Sequence, residues 1–266
     1  MTSISVILPT FNASKTITRA IDSILHQTTL PDQIILIDDC SSDSTVHLIH
    51  SHPQLQNFSN KLILATPTNS GPGVARNLGW DHASSEFVAF LDADDVWHPQ
   101  KLELQREAMI LHPWASFSGH RYHVNMDISS DFPRFQQPSY RELHMRHFLF
   151  RNRFSTPSVM IRRIINLRFG EDEGVSDDYL LWLRLLAHGQ RALLLDAPLV
   201  YLQKPAFGGG GLSGQLMFMQ RRELATFEVL RREDILSRFE SITLQLYSMI
   251  RFLRRFVIVA IRKMRR

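Results

Sequence analysis

The chain has 266 residues, 44% of them hydrophobic and 21% charged, which excludes a disordered chain and allows one large domain or two small ones. Its single cysteine, Cys40, excludes a disulfide framework and a multi-cysteine zinc site, and points to a reducing, cytosolic compartment. Residues 241–266 hold seven basic side chains and no acid, so the overall +4 leaves −3 on residues 1–240; this argues against a nucleic-acid partner.

In chain order, Ser5 to Leu8 is a short apolar run closed by Pro9, with no basic segment before it to suggest a signal peptide. Ser14 to His26 follows with helical spacing of Ile17, Ala20, Ile21, Ile24 and Leu25, and Ser14 as N-cap. Ile34 to Ile37 is a second strand, ending at Asp38-Asp39. Ser42-Asp43-Ser44 opens a helix to about His50, Lys61 to Leu64 is a third strand, and Pro72 to His82 a third helix. Phe87 to Leu91 is a fourth strand, ending at Asp92-Ala93-Asp94-Asp95. Continuous apolar strands alternating with helices predict a parallel sheet covered on both faces, with ligands beyond the carboxyl ends of the strands. The acidic clusters fall at those ends.

The middle is less regular. Pro99 to Leu111 reads as a helix, 115–124 and 157–163 as strands, and 127–150 fits no single pattern. Asp177 to His188 is a helix with Gly189 at C′. Leu193 to Tyr201 reads as strand, turn and strand. A four-glycine loop spans Gly208 to Gly211, and helices fill the rest. The longest late apolar run, Phe256 to Ile261, is far short of the ~20 residues of a membrane span.

Alternate carboxylates after a buried strand, as in Asp92-Ala93-Asp94, can hold one hard divalent cation. Taken alone the motif also fits a solvated turn. Four stretches remove much of that ambiguity: SVILPTFNASKTITRAIDSILHQT, IILIDDCSSDST, NSGPGVARNLGW and FVAFLDADDVWHPQKL. Together they resemble glycosyltransferase family 2, the inverting A-type glycosyltransferases.

The resemblance implies an α/β, Rossmann-like A-type glycosyltransferase fold with a mostly parallel central sheet and a helical C-terminal extension. Residues 1–215 would form the catalytic unit, with a nucleotide-binding half to about 100 and an acceptor half beyond it, and 216–266 the extension. It implies that Pro9, Thr10 and Phe11 line the nucleotide pocket and that Asp39, beside Asp38, reads a uracil or thymine imide. Asn69 and Gly71 would shape the loop before Arg76, which would lie near the nucleotide phosphates. Asp92, with Ala93, would face the sugar or ribose, and Asp94, with Asp92, would hold Mn²⁺ or Mg²⁺.

Ser176 to Arg184 resembles the family's Glu-Asp-x-x-Leu-Trp segment, with Asp177 where Glu is usual and Asp178 at the catalytic Asp. Inversion needs one base to take the acceptor's proton; the resemblance implies that Asp178 is that base and that Asp177 orients it or contacts the acceptor. Glu171 and Asp172 are nearby rivals, and an acidic first turn also suits a helix dipole. No Gln-x-x-Arg-Trp segment follows, which implies single-sugar rather than processive transfer. The loop from Phe207 to Gly214, with Met219 and Glu223, resembles an acceptor-side loop, either a lid over the diphosphate or a plain connection. The scattered histidines, His144 and His147 among them, read as surface or core residues.

The implied reaction is metal-dependent, inverting transfer of a sugar from a nucleotide-sugar, a UDP-sugar, to a glycan or lipid-linked acceptor. A nucleotidyltransferase would need a glycine-rich basic loop where Pro-Thr-Phe-Asn stands. A non-catalytic sugar-nucleotide-binding subunit remains the other alternative. On a helical wheel, residues 246–266 place arginines on one sector and bulky apolar residues opposite. That pattern fits an anionic membrane surface at the inner face of the plasma membrane, and it fits a helix packed on the core.

Overall fold

The computed structural model describes residues 2–124, 132–171, 174–203 and 216–264, with side chains to Phe256 in the last stretch. The elements are β1 Ile4–Thr10, α1 Ile17–Leu25, β2 Gln33–Asp38, α2 Thr45–Ser51, α3 Pro53–Gln56, β3 Lys61–Ala65, α4 Gly71–Asp81, β4 Phe87–Phe90, β5 Val96–Trp97 and α5 Lys101–Leu111. They continue with β6 Phe117–Val124, β7 Tyr140–Leu143, α6 Met145–Leu149, a 3₁₀ turn Thr156–Ser158, β8 Met160–Arg162, α7 Asp177–Ala187, β9 Ala192–Leu202, α8 Leu216–Arg232 and α9 Arg238–Met264.

One sheet runs β3-β2-β1-β4-β8-β6-β9-β5, with β7 on β9. The first four strands are parallel. β8 then enters antiparallel between β4 and β6, and β6 pairs parallel with β9. The chain steps outward from β1 through β2 to β3, then returns to the other side of β1 for β4. That reversal makes the carboxyl ends of β1 and β4 the switch point at which open α/β sheets bind ligands.

Side-chain alternation decides which layer each strand residue joins. Ile7, Ile35, Ile37, Val88 and Phe90 face one core with α4, α7, α8 and α9. Val6, Leu8, Ile34, Leu36, Phe87 and Ala89 face the other, under α1, α2, α3 and α5. Both faces are covered, so the strands read as continuous apolar runs. The C-terminal helices belong to the first core: Phe227, Leu230 and Leu244 are all buried in it.

Several boundaries differ from the sequence reading. α1 begins at Ile17 rather than Ser14: residues 14–16 form a turn in which Thr16 N and Ile17 N both donate to Ala13 O, and Ser14 N donates to Asp43 Oδ2 at 3.1 Å. α2 begins at Thr45 because Asp43 turns back onto the Thr45 N–H and hydroxyl. The 192–202 segment is one strand; its Asp196-Ala197-Pro198 turn signal is absorbed by register shifts in the facing β6 around Arg121. Residues 140–149 supply β7 and α6, and α6 starts at the mutual capping of His144 and His147. Gly189, at φ +78°, ends α7 as expected.

Candidate active site

The nucleotide side is built from loops after β1, β2 and β4. Thr10 is buried, and its hydroxyl donates to Ile37 O and Asp38 Oδ1. Pro9 is buried in β1, while Phe11, just after the strand, is 48% exposed. Asp39 is 3% exposed and receives three hydrogen bonds: Oδ1 accepts from Thr66 Oγ1 (2.7 Å) and Ser70 N (3.0 Å), and Oδ2 accepts from Gly71 N (2.8 Å). It thereby caps the start of α4, whose positive dipole end suits a carboxylate. Gly71 also donates to Asn69 Oδ1, and its φ of +83° is open to glycine at little cost. Asp38 accepts from Ser41 N.

Asp39 orients α4 so that Arg76, one turn in, points across the end of β4. Arg76 is 6% exposed. Its Nη2 donates to Asp92 Oδ1 at 2.6 Å and its Nη1 to Asp177 Oδ2 at 3.0 Å. Its guanidinium also lies 5.3 Å from the centre of the Phe169 ring. One buried arginine therefore ties the acidic loop after β4 to the first turn of α7, 101 positions along the chain. Burial works against the Arg76 charge, but Asp92 and Asp177 outweigh it and hold the guanidinium protonated above its ordinary range. Asp92 is pushed up by burial against the pull of Arg76, with Asp94 and Asp177 adding to the rise. The Asp92–Asp95 turn is closed by Asp95 N donating to Asp92 O; Ala93 is buried and Asp94 half-buried.

This close approach requires glycine. A Cβ on Gly73, one turn before Arg76, would stand 2.6 Å from the Gly170 carbonyl oxygen and 3.4 Å from Asp177 Oδ2.

Asp177 is buried, and both of its oxygens are taken. Arg76 holds Oδ2, and Arg222 of α8 donates to Oδ1 at 3.1 Å while its Nε bonds Val175 O. Asp178, the next residue, is half-buried; it accepts from Tyr179 N at 2.6 Å and from Asn152 Nδ2 at 3.1 Å. Burial first, then the Asp177 charge, push the Asp178 carboxyl up to about 6, against the opposing pull of Arg76, the Tyr179 N–H and the Asn152 amide. A base with that value is ionised at neutral pH and still accepts a proton.

The structure thus brings Arg76, Asp92, Asp177 and Asp178 into one charge cluster, with Asp94 coupled to it through Asp92. Asp38 and Asp39 stand apart at the base of α4, occupied by loop contacts. Sequence reasoning missed Arg222, Asn152 and Phe169. Arg222 sits one residue before Glu223, but nothing local marks it as the partner of an aspartate 45 positions earlier. Glu223 itself pairs with Arg251 and Arg255 of α9. The four-glycine loop and Asp172 lie outside the described residues, and Glu171 is exposed.

α9 meets the body through Ser241, Leu244, Ser248 and Phe252, all buried, with Arg251 donating to Phe150 O. Seven other apolar residues of its described stretch, Phe239, Ile242, Leu246, Met249, Ile250, Leu253 and Phe256, are exposed. Up to Phe256, α9 therefore packs through Leu244, Phe252 and two serines, while the stripe of Leu246, Met249, Ile250, Leu253 and Phe256 is exposed. Among the described residues, no helix is long and apolar enough to cross a membrane.

Comparison with known proteins follows the same lines. The model of the family described as "Glycosyl transferase family 2" matches residues 5–168. The UDP-Glc:alpha-D-GlcNAc-diphosphoundecaprenol beta-1,3-glucosyltransferase WfgD of Escherichia coli is 33% identical over 187 residues, covering 69% of each chain. The putative teichuronic acid biosynthesis glycosyltransferase TuaG of Bacillus subtilis is 37% identical over 118 residues, 44% of this chain and just under half (46%) of that protein. Among solved structures, S. aureus TarS 1-349 in complex with UDP-GlcNAc superposes with a TM-score of 0.70 at 21% identity, over 91% of this chain and 70% of that one. Mannosyltransferase PcManGT of Pyrobaculum calidifontis, in complex with GDP-Man and Mn²⁺, gives 0.64 at 18% identity, over 86% and 64%. At these identities the likeness is one of fold.

Proposed function

The chain belongs to glycosyltransferase family 2 and is a transferase, and from that premise we propose that it moves one sugar per encounter, with inversion, from a nucleotide-sugar to an acceptor hydroxyl. The donor is a UDP-sugar, and the acceptor is a glycan or lipid-linked intermediate of a cell-surface polysaccharide. The relatives that act on UDP-Glc or bind UDP-GlcNAc support the donor class. The observation that carries the reading is Arg76, which sets the acidic loop of the donor side and the Asp177-Asp178 turn at the two ends of one guanidinium.

Pro9, Thr10 and Phe11 line the nucleotide crevice. Asp39 keeps acceptor capacity on a carboxylate that already receives three protein hydrogen bonds, enough for one imide N–H. Asp92 and Asp94 offer hard oxygen donors of the kind that suit Mn²⁺ or Mg²⁺. Two carboxylates leave the remaining coordination positions of such a cation to substrate phosphates and water. A cation held by Asp92 and Asp94 would supply positive charge to the departing diphosphate.

Asp178 takes the proton of the acceptor hydroxyl as its oxygen forms a bond to the anomeric carbon. The bond from that carbon to the diphosphate oxygen breaks, and the electron pair leaves with the diphosphate. Asp177, clamped by Arg76 and Arg222, fixes the turn that aims Asp178 and raises its proton affinity. Arg76 meets carboxylates with both forks, so its phosphate role is indirect: it holds the Asp92 loop in place.

Residues 1–215 act as the catalytic unit, with 216–266 bracing it and carrying the outward apolar stripe. The second partner is an anionic membrane surface, engaged by residues 246–266 and by Phe239 and Ile242 on the same stripe, which places the enzyme at the cytoplasmic face of the membrane. The test of the reaction uses donor hydrolysis. Incubation with UDP-, GDP- and dTDP-sugars and Mn²⁺ should release UDP, with the fresh sugar showing the opposite anomer by proton NMR before it equilibrates. A first-formed sugar that keeps the donor's configuration contradicts inversion.

A further inference from the structure

Residues 143–170 contain six arginines and no acid. Three of them are bound to the body: Arg162 to Glu86, Arg168 to Asp81 and Arg163 to Ser85 O. The other three, Arg146, Arg151 and Arg153, are exposed, and among the described residues none forms an ion pair with a carboxylate. Elsewhere on the surface, exposed arginines such as Arg191 and Arg231 meet glutamates at 2.6–2.8 Å.

Their place is specific. Arg151 and Arg153 flank Asn152, whose amide holds the carboxylate of Asp178. Exposure alternates through the three residues: Asn152 is turned inward to the base and the two arginines lie at the surface. The loop is braced from both sides. Arg151 N donates to Phe148 O, Arg153 Nε donates to His147 O at 2.8 Å, and Arg251 of α9 donates to Phe150 O. A loop needed only to hold Asn152 has no use for two like charges beside it, whose mutual repulsion costs stability.

Resting on the transferase reading above, we propose that Arg151 and Arg153, together with the neighbouring Arg146, bind a phosphate or diphosphate group of the acceptor whose hydroxyl Asp178 deprotonates. Guanidinium groups match phosphate oxygens in bidentate geometry. The donor's diphosphate belongs at Asp92 and Asp94, across Arg76 from this loop, so a phosphate at Arg151 and Arg153 is a second one. It arrives either as the diphosphate of a lipid-linked acceptor or as a phosphodiester of a glycan.

The test loads the full chain with saturating UDP and Mn²⁺, so that the donor site is closed, and titrates octyl diphosphate, inorganic diphosphate and octyl glucoside by calorimetry. Octyl diphosphate should bind, and the Arg151→Gln/Arg153→Gln variant should lose at least about tenfold in affinity, the worth of one charged hydrogen bond. The variant's UDP affinity should stay within about twofold of the parent, and an Arg232→Gln/Arg238→Gln control that removes the same charge from the α8–α9 turn should bind octyl diphosphate like the parent. Octyl diphosphate binding well above inorganic diphosphate identifies the lipid-linked source; equal binding identifies the glycan phosphate. The proposal is overturned if neither phosphate probe binds the UDP-loaded chain, if the double variant binds like the parent, or if the control falls as far. Failure of UDP itself to bind overturns the UDP-donor reading instead.

Discussion

Replacing Asp178 by Asn separates what the residue does for chemistry from what it does for folding. Its carboxyl rises from an ordinary 3.8 to about 6, chiefly through burial and then through Asp177. A folded-state value above the unfolded one means that the folded chain binds the proton more tightly. The cost of the ionised form is absent at low pH, grows as pH climbs from about 4 to about 6, and is fully present above that. The rise corresponds to about 3 kcal/mol as a ceiling, and partial exposure of the group brings the expected value to about 1–3 kcal/mol. Asn carries no charge, and the Asn152 amide can turn to meet it by giving up only a 3.3 Å bond to Phe154 N. Urea unfolding of both proteins between pH 4.5 and 8 should show the Asn variant gaining stability over the parent as pH rises, with the gain level above about pH 6.5. Donor turnover with acceptor present should fall by about 10²–10⁴, the usual worth of a positioned base. Parallel stability curves for the two proteins would refute the argument, because the carboxylate would then pay no burial cost in the fold.

Other perturbations follow from the same geometry. The parent's kcat/KM should fall on the acid side below about pH 6, as Asp178 becomes protonated, and a profile flat to pH 5 would assign the base elsewhere. Arg222→Gln leaves Asp177 with Arg76 alone; it should cost about 1–3 kcal/mol and move that acid limb upward, read by thermal melting and the pH profile. Gly73→Ala forces a Cβ against the Gly170 carbonyl, and should cost about 1–3 kcal/mol and lower kcat more than donor affinity. Lys101 is fully buried, its Nζ 3.8 Å from the centre of the Trp97 ring and without a hydrogen-bond partner among the described residues, and burial holds its pKa well below the usual value. Lys101→Met should therefore raise stability by about 1–3 kcal/mol at pH 7, and the gain should shrink toward pH 10.5 as the unfolded lysine also loses its proton.

The first hundred residues were largely legible because β1, β2 and β4 are buried on both faces, so their apolar runs are unbroken, and because the acids sit at strand ends. The Leu-Trp segment pointed to Asp178 as a site candidate; its Trp182 stacks on Phe117 in the core, and Asp178 lies beside Asp177 and Asn152. What escaped was tertiary. No local pattern says that Arg76 will bridge Asp92 and Asp177, or that Arg222 will close the other side of Asp177. The turn signal at Asp196-Ala197-Pro198 lost to a strand because β6 could shift register opposite it. The wheel of 246–266 identified two faces but not which one packs. Small residues, Ser241 and Ser248, let α9 approach α8, where Gln220 reaches Ser248 at 2.9 Å, and that choice turns the apolar stripe outward.

The most direct measurement of the central claim is calorimetric titration of the chain with UDP, GDP and dTDP, with and without Mn²⁺. A nucleotide-sugar transferase of this design binds one of them, UDP, in a manner that depends on Mn²⁺ and is lost in Asp94→Ala. Binding of UDP that is indifferent to both the metal and Asp94, or no binding of any of the three, would contradict the assignment of the acidic loop after β4 as the donor's diphosphate site.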